Sequence, residues 1–106
     1  MKGGGRLVAL IPCYNPGAAV VDVITKTREQ VDALLVVDDG SDAATVERLR
    51  GTGVDCLRFS ANRGKGHALV AGLAHWLADP GWQAVVLLDA DGQHDPTEIP
   101  ALRRAW

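Results

Sequence analysis

The acidic segment that begins at Asp89 carries the most distinctive chemistry of this 106-residue chain. Asp91 follows two residues later and Gln93 two residues after that. Carboxylate and amide oxygens at this spacing can turn toward one hard cation, and Mg²⁺ and Mn²⁺ prefer such ligands. An EF-hand loop is excluded because its sixth and twelfth positions, Gly and Glu, are here His94 and Pro100. The segment predicts a divalent-metal site; a capped acidic turn is the simpler alternative.

Two further segments could recognise a flat ring and its sugar. Tyr14 and Asn15 place an aromatic ring and an amide in one turn, where they can stack on a base and bond to its edge. Asp39 comes directly after an apolar run and can accept a hydrogen bond from a base N–H or a ribose hydroxyl. The alternatives are an ordinary turn for the first segment, and helix capping by Ser41 or Asp42 with one solvated Asp for the second.

A glycine-rich segment at residues 62–67 could hold an anion. It places Lys65 and Gly66 at the start of the longest predicted helix, where free N–H groups and the helix dipole favour negative charge. A Walker loop is excluded because no Ser or Thr follows the lysine. The dinucleotide fingerprint is excluded because Leu69 stands in place of its third glycine. The segment suits a diphosphate, and a plain solvated turn is the alternative.

All these segments follow predicted β-strands, which alternate with helical periodicity. The strands fall at residues 7–11, 34–37, 56–60 and 84–88. Such alternation predicts an α/β fold with a parallel sheet and helices on both faces. With strand order 3-2-1-4, Asp39 and Asp89 flank the turn after the first strand, at the edge where such sheets bind ligands. The longest helix is predicted to bury a stripe of Leu69, Leu73, Trp76 and Leu77.

Composition narrows the class of protein. An apolar fraction of 47% excludes a disordered chain, and a net charge of −2 without a basic stripe argues against nucleic acid as a partner. The longest apolar run, residues 84–88, is too short to span a bilayer. Cys13 and Cys56 lack metal-ligand spacing, which favours free thiols in a cytoplasmic protein.

Taken in order, these segments resemble the family 2 glycosyltransferases of the GT-A fold, and within them the dolichyl- or polyprenyl-phosphate mannose synthase group. The resemblance rests on residues 11–15, 36–41, 62–69 and 88–96 and extends over roughly residues 6–106. It implies that residues 1–106 form the nucleotide-sugar-binding N-terminal part of a transferase, with an incomplete GT-A sheet. A C-terminal remainder or an oligomer would then complete the fold.

The resemblance also implies roles for individual residues. Asp89, Asp91 and Gln93, the DXD-type segment, would hold Mg²⁺ or Mn²⁺. Together with the ring, amide and anion sites above, the expected nucleotide-sugar-binding set is Pro12, Tyr14, Asn15, Val37, Asp39, Lys65, Gly66, Asp89 and Ala90. No residue is nominated as catalytic base, because His67 and His75 are expected on the faces of a helix.

The implied activity is metal-dependent, inverting transfer of a sugar from a nucleoside diphosphate to a polyprenyl phosphate or a saccharide. A lipid acceptor would place the protein peripherally at the inner face of a membrane. Two alternatives stay open: a nucleotide-sugar-binding fragment without activity, and an Asp-dependent phosphatase or phospho-acceptor domain. The phosphatase motif Asp-x-Asp-Gly-Thr differs, however, since Gln93 replaces the threonine and the motif follows the fourth strand. The base and the sugar of the donor are left open.

Overall fold

A computed structural model describes residues 6–78, 81–88 and 90. Strands and helices alternate throughout this part of the chain, which confirms the predicted α/β class. Their order is β1 (Arg6–Cys13), α1 (Ala19–Arg28), β2 (Ala33–Asp38), α2 (Ala43–Thr52), β3 (Asp55–Arg58), α3 (Lys65–Leu77) and β4 (Trp82–Leu87). None of the helices within these residues is long and apolar enough to cross a bilayer.

The four strands form one parallel sheet in the order β3-β2-β1-β4, as predicted. β1 and β2 are the central strands and are apolar on both faces, as expected for strands covered by helices on either side. The register aligns Cys13 with Asp38 and Asp38 with Arg58, so one row of side chains crosses three strands near their carboxyl ends.

Each face of the sheet has its own apolar core, and β1 contributes alternate residues to the two. Leu7, Ala9 and Ile11 pack on the face covered by α1 and α2. Val8 and Leu10 pack on the opposite face, against α3. The alternation follows from the two-residue period of a strand. Helices therefore cover both faces, as the strand pattern predicted.

The predicted apolar stripe of α3 is only partly correct. Trp76 is buried, but Leu73 is 38% exposed and Leu77 72% exposed. The residues of α3 that are buried are Ala68, Gly72 and Trp76. The helix is thus rotated toward its small residues relative to the prediction.

The reason for the rotation is a close approach between α3 and β1. A Cβ added at Gly72 would lie 2.3 Å from Leu10 Cδ1, so any side chain here would displace the buried Leu10 side chain. The Trp76 indole Nε1 donates a hydrogen bond of 3.3 Å to the Ala9 carbonyl, which fixes the last turn of the helix on the sheet. A pattern that scores large apolar side chains misses a contact made through glycine and alanine.

Candidate functional site

The carboxyl ends of β1 and β2 bring the first two predicted segments together. Pro12 lies opposite Val37, and the Asp39 amide donates a 2.8 Å hydrogen bond to the Cys13 carbonyl. Val37 is fully buried in the core beneath α3. Tyr14, in contrast, is 53% exposed, so its ring is open to a ligand. The predicted aromatic and acidic groups therefore lie on adjacent strand ends.

Asp39 anchors the loop that precedes α3. Its Oδ1 accepts a 2.7 Å hydrogen bond from the Arg63 amide, and its Oδ2 accepts bonds of 2.8 Å from the Gly64 amide and 3.1 Å from Asn62 Nδ2. An ionised carboxylate offers about four acceptor positions, so these three bonds use most of them. Asp39 is 3% exposed and Asp38 is fully buried, so the alternative of one solvated Asp is wrong. The predicted contact between Asp39 and a nucleotide stays a prediction.

Gly40 makes the close approach of this loop possible. Its φ is +80°, and an added Cβ would lie 2.5 Å from the backbone of both Ala61 and Asn62. A side chain at this position would push residues 61–62 away from Asp39. The apolar pattern marks Gly40 only as the end of a strand, although an Asp-Gly pair after a buried strand is a signal for positive φ.

The turns after β1 and β2 are joined by a second set of hydrogen bonds. The backbone N–H of Asn15 donates to Ser41 Oγ at 2.8 Å, and the side-chain oxygen of Asn15, Oδ1, accepts from the backbone N–H of Asp42 at 2.8 Å. Asn15 has a φ of +45°, in the left-handed region that asparagine tolerates better than most residues. Asp42 caps α2 by accepting from the Thr45 amide at 2.9 Å. Of the two predicted caps, Asp42 is therefore correct, and Ser41 instead holds the turn that carries Tyr14.

The N-terminus of α3 starts immediately after the loop that Asp39 holds. Gly64 is its N-cap, with a φ of 100° and no side-chain cap of its own. Lys65 and Gly66, both exposed, form the first residues of the helix. The Arg63 guanidinium lies over the Phe59 ring at 5.6 Å. The predicted ring-binding and anion-binding segments are thus adjacent, although binding itself stays a prediction.

Asp38 is a buried structural carboxylate. Its Oδ1 accepts a 3.1 Å hydrogen bond from the Ser41 amide, and Arg58 Nε lies 3.8 Å from its Oδ2. Asp38 and Arg58 also line a cavity of about 320 Å³ between α2 and β3. No motif in the sequence points to Arg58. The one feature that could have done so is its positive charge on the strand next to Asp38.

The end of β4 lies beside the end of β1. The Leu88 amide donates a 3.1 Å hydrogen bond to the Leu10 carbonyl, and Leu88 and Ala90 are both buried. The predicted metal ligands Asp89, Asp91 and Gln93 lie outside the described residues. Within residues 6–78, 81–88 and 90, no group of His, Cys, Asp and Glu could hold a metal ion. The metal site therefore stays a prediction, with its neighbours placed at the expected edge of the sheet.

Comparison with known proteins identifies the family. Residues 8–106 match the sequence model of Glycosyl transferase family 2. The chain belongs to this family. It is 32% identical over 107 residues to an undecaprenyl-phosphate mannosyltransferase of Micrococcus luteus, a match that covers 94% of this chain and 44% of that protein. It is 36% identical over 109 residues to an undecaprenyl-phosphate 4-deoxy-4-formamido-L-arabinose transferase of Sodalis glossinidius, covering 92% of this chain and 32% of that protein.

Solved structures of glycosyltransferases share the fold of this family member. Glucosyl-3-phosphoglycerate synthase from Mycobacterium tuberculosis, in complex with UDP, superimposes with a TM-score of 0.73 and 29% sequence identity over 93% of this chain and 39% of that one. The same enzyme with Mn²⁺, UDP and phosphoglyceric acid gives a TM-score of 0.73 at 27% identity, over 93% of this chain and 38% of that one. The chain spans less than half the length of these relatives.

Proposed function

We propose that this chain is the donor-binding half of a metal-dependent, inverting glycosyltransferase. It would take a sugar from a nucleoside diphosphate and transfer it to an acceptor, with a polyprenyl phosphate as the favoured acceptor. The observation that carries the proposal is the position of Asp39, whose carboxylate joins the end of β2 to the start of α3. That junction would set the base end and the diphosphate end of a donor side by side.

The described side chains divide the work of donor binding. The exposed ring of Tyr14 would stack on the base, and the remaining acceptor position of Asp39 would meet the base or the ribose. Lys65 and Gly66 would face the diphosphate, because the first turn of a helix offers N–H groups and positive potential to an anion. Pro12, Val37 and Asn15 would shape the turn around these contacts.

Asp89, Asp91 and Gln93 would hold Mg²⁺ or Mn²⁺ near the diphosphate, and Ala90 would lie between the first two ligands at the donor. The bound ion would supply charge stabilisation for the departing diphosphate. This part of the proposal is supported by the glucosyl-3-phosphoglycerate synthase structures, which hold UDP with Mn²⁺ or with Mg²⁺. It is also supported by the buried flanking residues Leu88 and Ala90, which fix the end of β4 beside β1.

The choice of acceptor rests on the two relatives named for undecaprenyl phosphate. A phosphate oxygen is already anionic and can attack the anomeric carbon without a strong general base, unlike a sugar hydroxyl. A lipid acceptor would bring the protein to a membrane surface as a peripheral protein at its cytoplasmic side.

Calorimetric titration of UDP- and GDP-sugars, with and without Mn²⁺, tests donor binding. The proposal expects binding that depends on the metal ion and is lost in Asp91→Asn, whereas Asp22→Asn, an exposed carboxylate on α1, serves as matched control. The proposal would be overturned if the chain bound neither UDP-sugars nor GDP-sugars. Sugar transfer to undecaprenyl phosphate by this chain would exclude a binding fragment without activity. Formation of an aspartyl phosphate from a small phosphodonor would instead favour the phospho-acceptor alternative.

A further inference from the structure

We infer that Asn62 is a positioning residue for the sugar donor. Its side chain acts through Asp39, and it fixes the relation between the base end and the diphosphate end of the site. The inference rests on the proposed function, because it assigns to Asn62 a part in holding the same donor. Asn62 is outside the set of binding residues that the sequence predicted.

Asn62 holds Asp39 at two points with one amide group. Its Nδ2 donates to Asp39 Oδ2 at 3.1 Å and to the Asp39 carbonyl at 3.3 Å. A donor shared between the backbone and the carboxylate of one residue restricts rotation of that carboxylate about its side-chain bonds. Asn62 therefore selects the orientation in which Asp39 meets both the loop and any ligand.

The oriented carboxylate in turn fixes the start of α3. It accepts the amides of Arg63 and Gly64 at 2.7 and 2.8 Å, and the helix begins at the next residue, Lys65. The N-cap Gly64 supplies no side-chain cap, and Asp39, just after β2, instead holds the two residues that lead into the helix. Charge-assisted bonds to a carboxylate that is 3% exposed are strong, so the path of the chain into the first helical turn depends on them.

Removal of the Asn62 side-chain amide should therefore mainly lower the affinity for the diphosphate part of the donor. In Asn62→Ala, Asp39 keeps its two backbone donors but gains rotational freedom, and residues 63–66 gain freedom with it. We expect the affinity for a nucleoside diphosphate to fall about tenfold, the scale of one lost charge-assisted hydrogen bond. The affinity for the matching monophosphate should fall less, because it makes fewer contacts with the first turn of α3.

The test compares the pairs UDP and UMP, and GDP and GMP, by calorimetry in the presence of Mn²⁺. Asn62→Ala should lower the ratio of diphosphate to monophosphate affinity, and Asn62→Asp, of the same shape but without the amide donor, should lower it at least as much. The matched control is Ser60→Ala, an exposed position in the same loop. A general loss of stability would weaken both members of a pair equally and leave the ratio unchanged, which would overturn the inference.

Amide hydrogen exchange at Arg63 and Gly64 gives a readout without ligand. Both amides should exchange faster in Asn62→Ala than in the unmodified chain, and an unchanged rate would overturn the inference. Failure of the proposed function gives a different result. If the unmodified chain binds neither UDP nor GDP, the proposed function and this inference fall together. If it binds one of them and the ratio survives in both Asn62 variants, only the role of Asn62 is lost.

Discussion

The backbone N–H of Asn15 donates a 2.8 Å hydrogen bond to the Ser41 hydroxyl oxygen, and this bond joins the turns after two neighbouring strands. The bond is reinforced by a second one in the opposite direction along the chain, from the Asp42 amide to Asn15 Oδ1. The two turns are therefore tied together by two hydrogen bonds. Tyr14, whose ring is exposed, is held by its neighbour rather than by its own contacts with the core.

Ser41→Ala tests this connection. The variant leaves the Asn15 amide without its protein acceptor, so we expect the free energy of unfolding to fall by about 1 kcal/mol, the usual contribution of one such bond. Nucleotide affinity should fall as well, because the Tyr14 turn loses its support. Urea denaturation and nucleotide titration measure the two effects. Ser60→Ala, in an exposed loop, is the control and should change neither.

Gly40→Ala should be severely destabilising. Its Cβ would lie 2.5 Å from the backbone of residues 61–62, and its φ of +80° is unfavourable for alanine. Strain of these two kinds predicts a loss of about 2–4 kcal/mol in the free energy of unfolding. Gly51→Ala is the matched control: Gly51 lies in α2 with no heavy atom near its added Cβ, so the variant should be neutral or slightly stabilising. Equal effects of the two variants in urea denaturation would contradict the described packing.

Asp39→Asn should weaken the loop before α3. An amide keeps one acceptor oxygen and places an NH₂ group where the second oxygen accepts from Gly64 and Asn62. We expect a loss of about 2 kcal/mol in unfolding free energy, since two partly buried donors lose their acceptor. Thermal and urea denaturation check this value. Asp55→Asn, an exposed carboxylate on β3, should leave stability nearly unchanged.

The two free cysteines should differ in reactivity. Burial, with help from the charge of Asp38, raises the pKa of the Cys13 thiol to about 12. Cys56 is exposed on the edge strand β3, although partial desolvation also raises its pKa. Because the thiolate is the reactive form, iodoacetamide at pH 8 should modify Cys56 slowly and Cys13 only after unfolding. Mass spectrometry of the labelled peptides, with and without urea, measures this order.

The raised pKa of Cys13 also predicts a pH dependence of stability. The folded chain binds the thiol proton more tightly than the unfolded chain does. The contribution is therefore fully present below the ordinary thiol pKa of 9.0 and is lost as pH rises toward about 12. Relative to Cys13→Ala, the unmodified chain should lose stability as pH is raised through this window. If the free energy of unfolding changed with pH equally in both proteins over this range, the burial of Cys13 would be contradicted.

Strand order and site location could be predicted from sequence because both depend on patterns along the chain. Apolar runs that end in Asp39 or in the turn at Tyr14 mark strand ends, and a parallel sheet brings those ends to one edge. The roles of Asn62 and Ser41 could not be predicted in the same way. Each bonds to a residue more than 20 positions away, so its partner is defined only by the folded sheet.

The predicted apolar stripe of α3 was partly wrong for a related reason. A hydrophobic pattern weighs Leu73 and Leu77 heavily, but the depth of a helix on a sheet depends on the smallest residues that face it. Gly72 lies so close to Leu10 that a side chain there would displace it, and Leu73 and Leu77 turn outward. The sequence also could not decide whether Ser41 or Asp42 caps α2, because serine and aspartate are both favoured at the N-cap position.

The double attachment of α3 has a thermodynamic consequence for ligand binding. Asp39 holds the two residues that lead into its first turn, and the Trp76 indole fixes its last turn on the centre of the sheet. With both ends immobilised by the protein's own contacts, the helix loses little conformational entropy when an anion reaches its N-terminus. If the proposed donor binds there, the ordering cost of the complex would fall mainly on the ligand, because the helix it meets is already held in place.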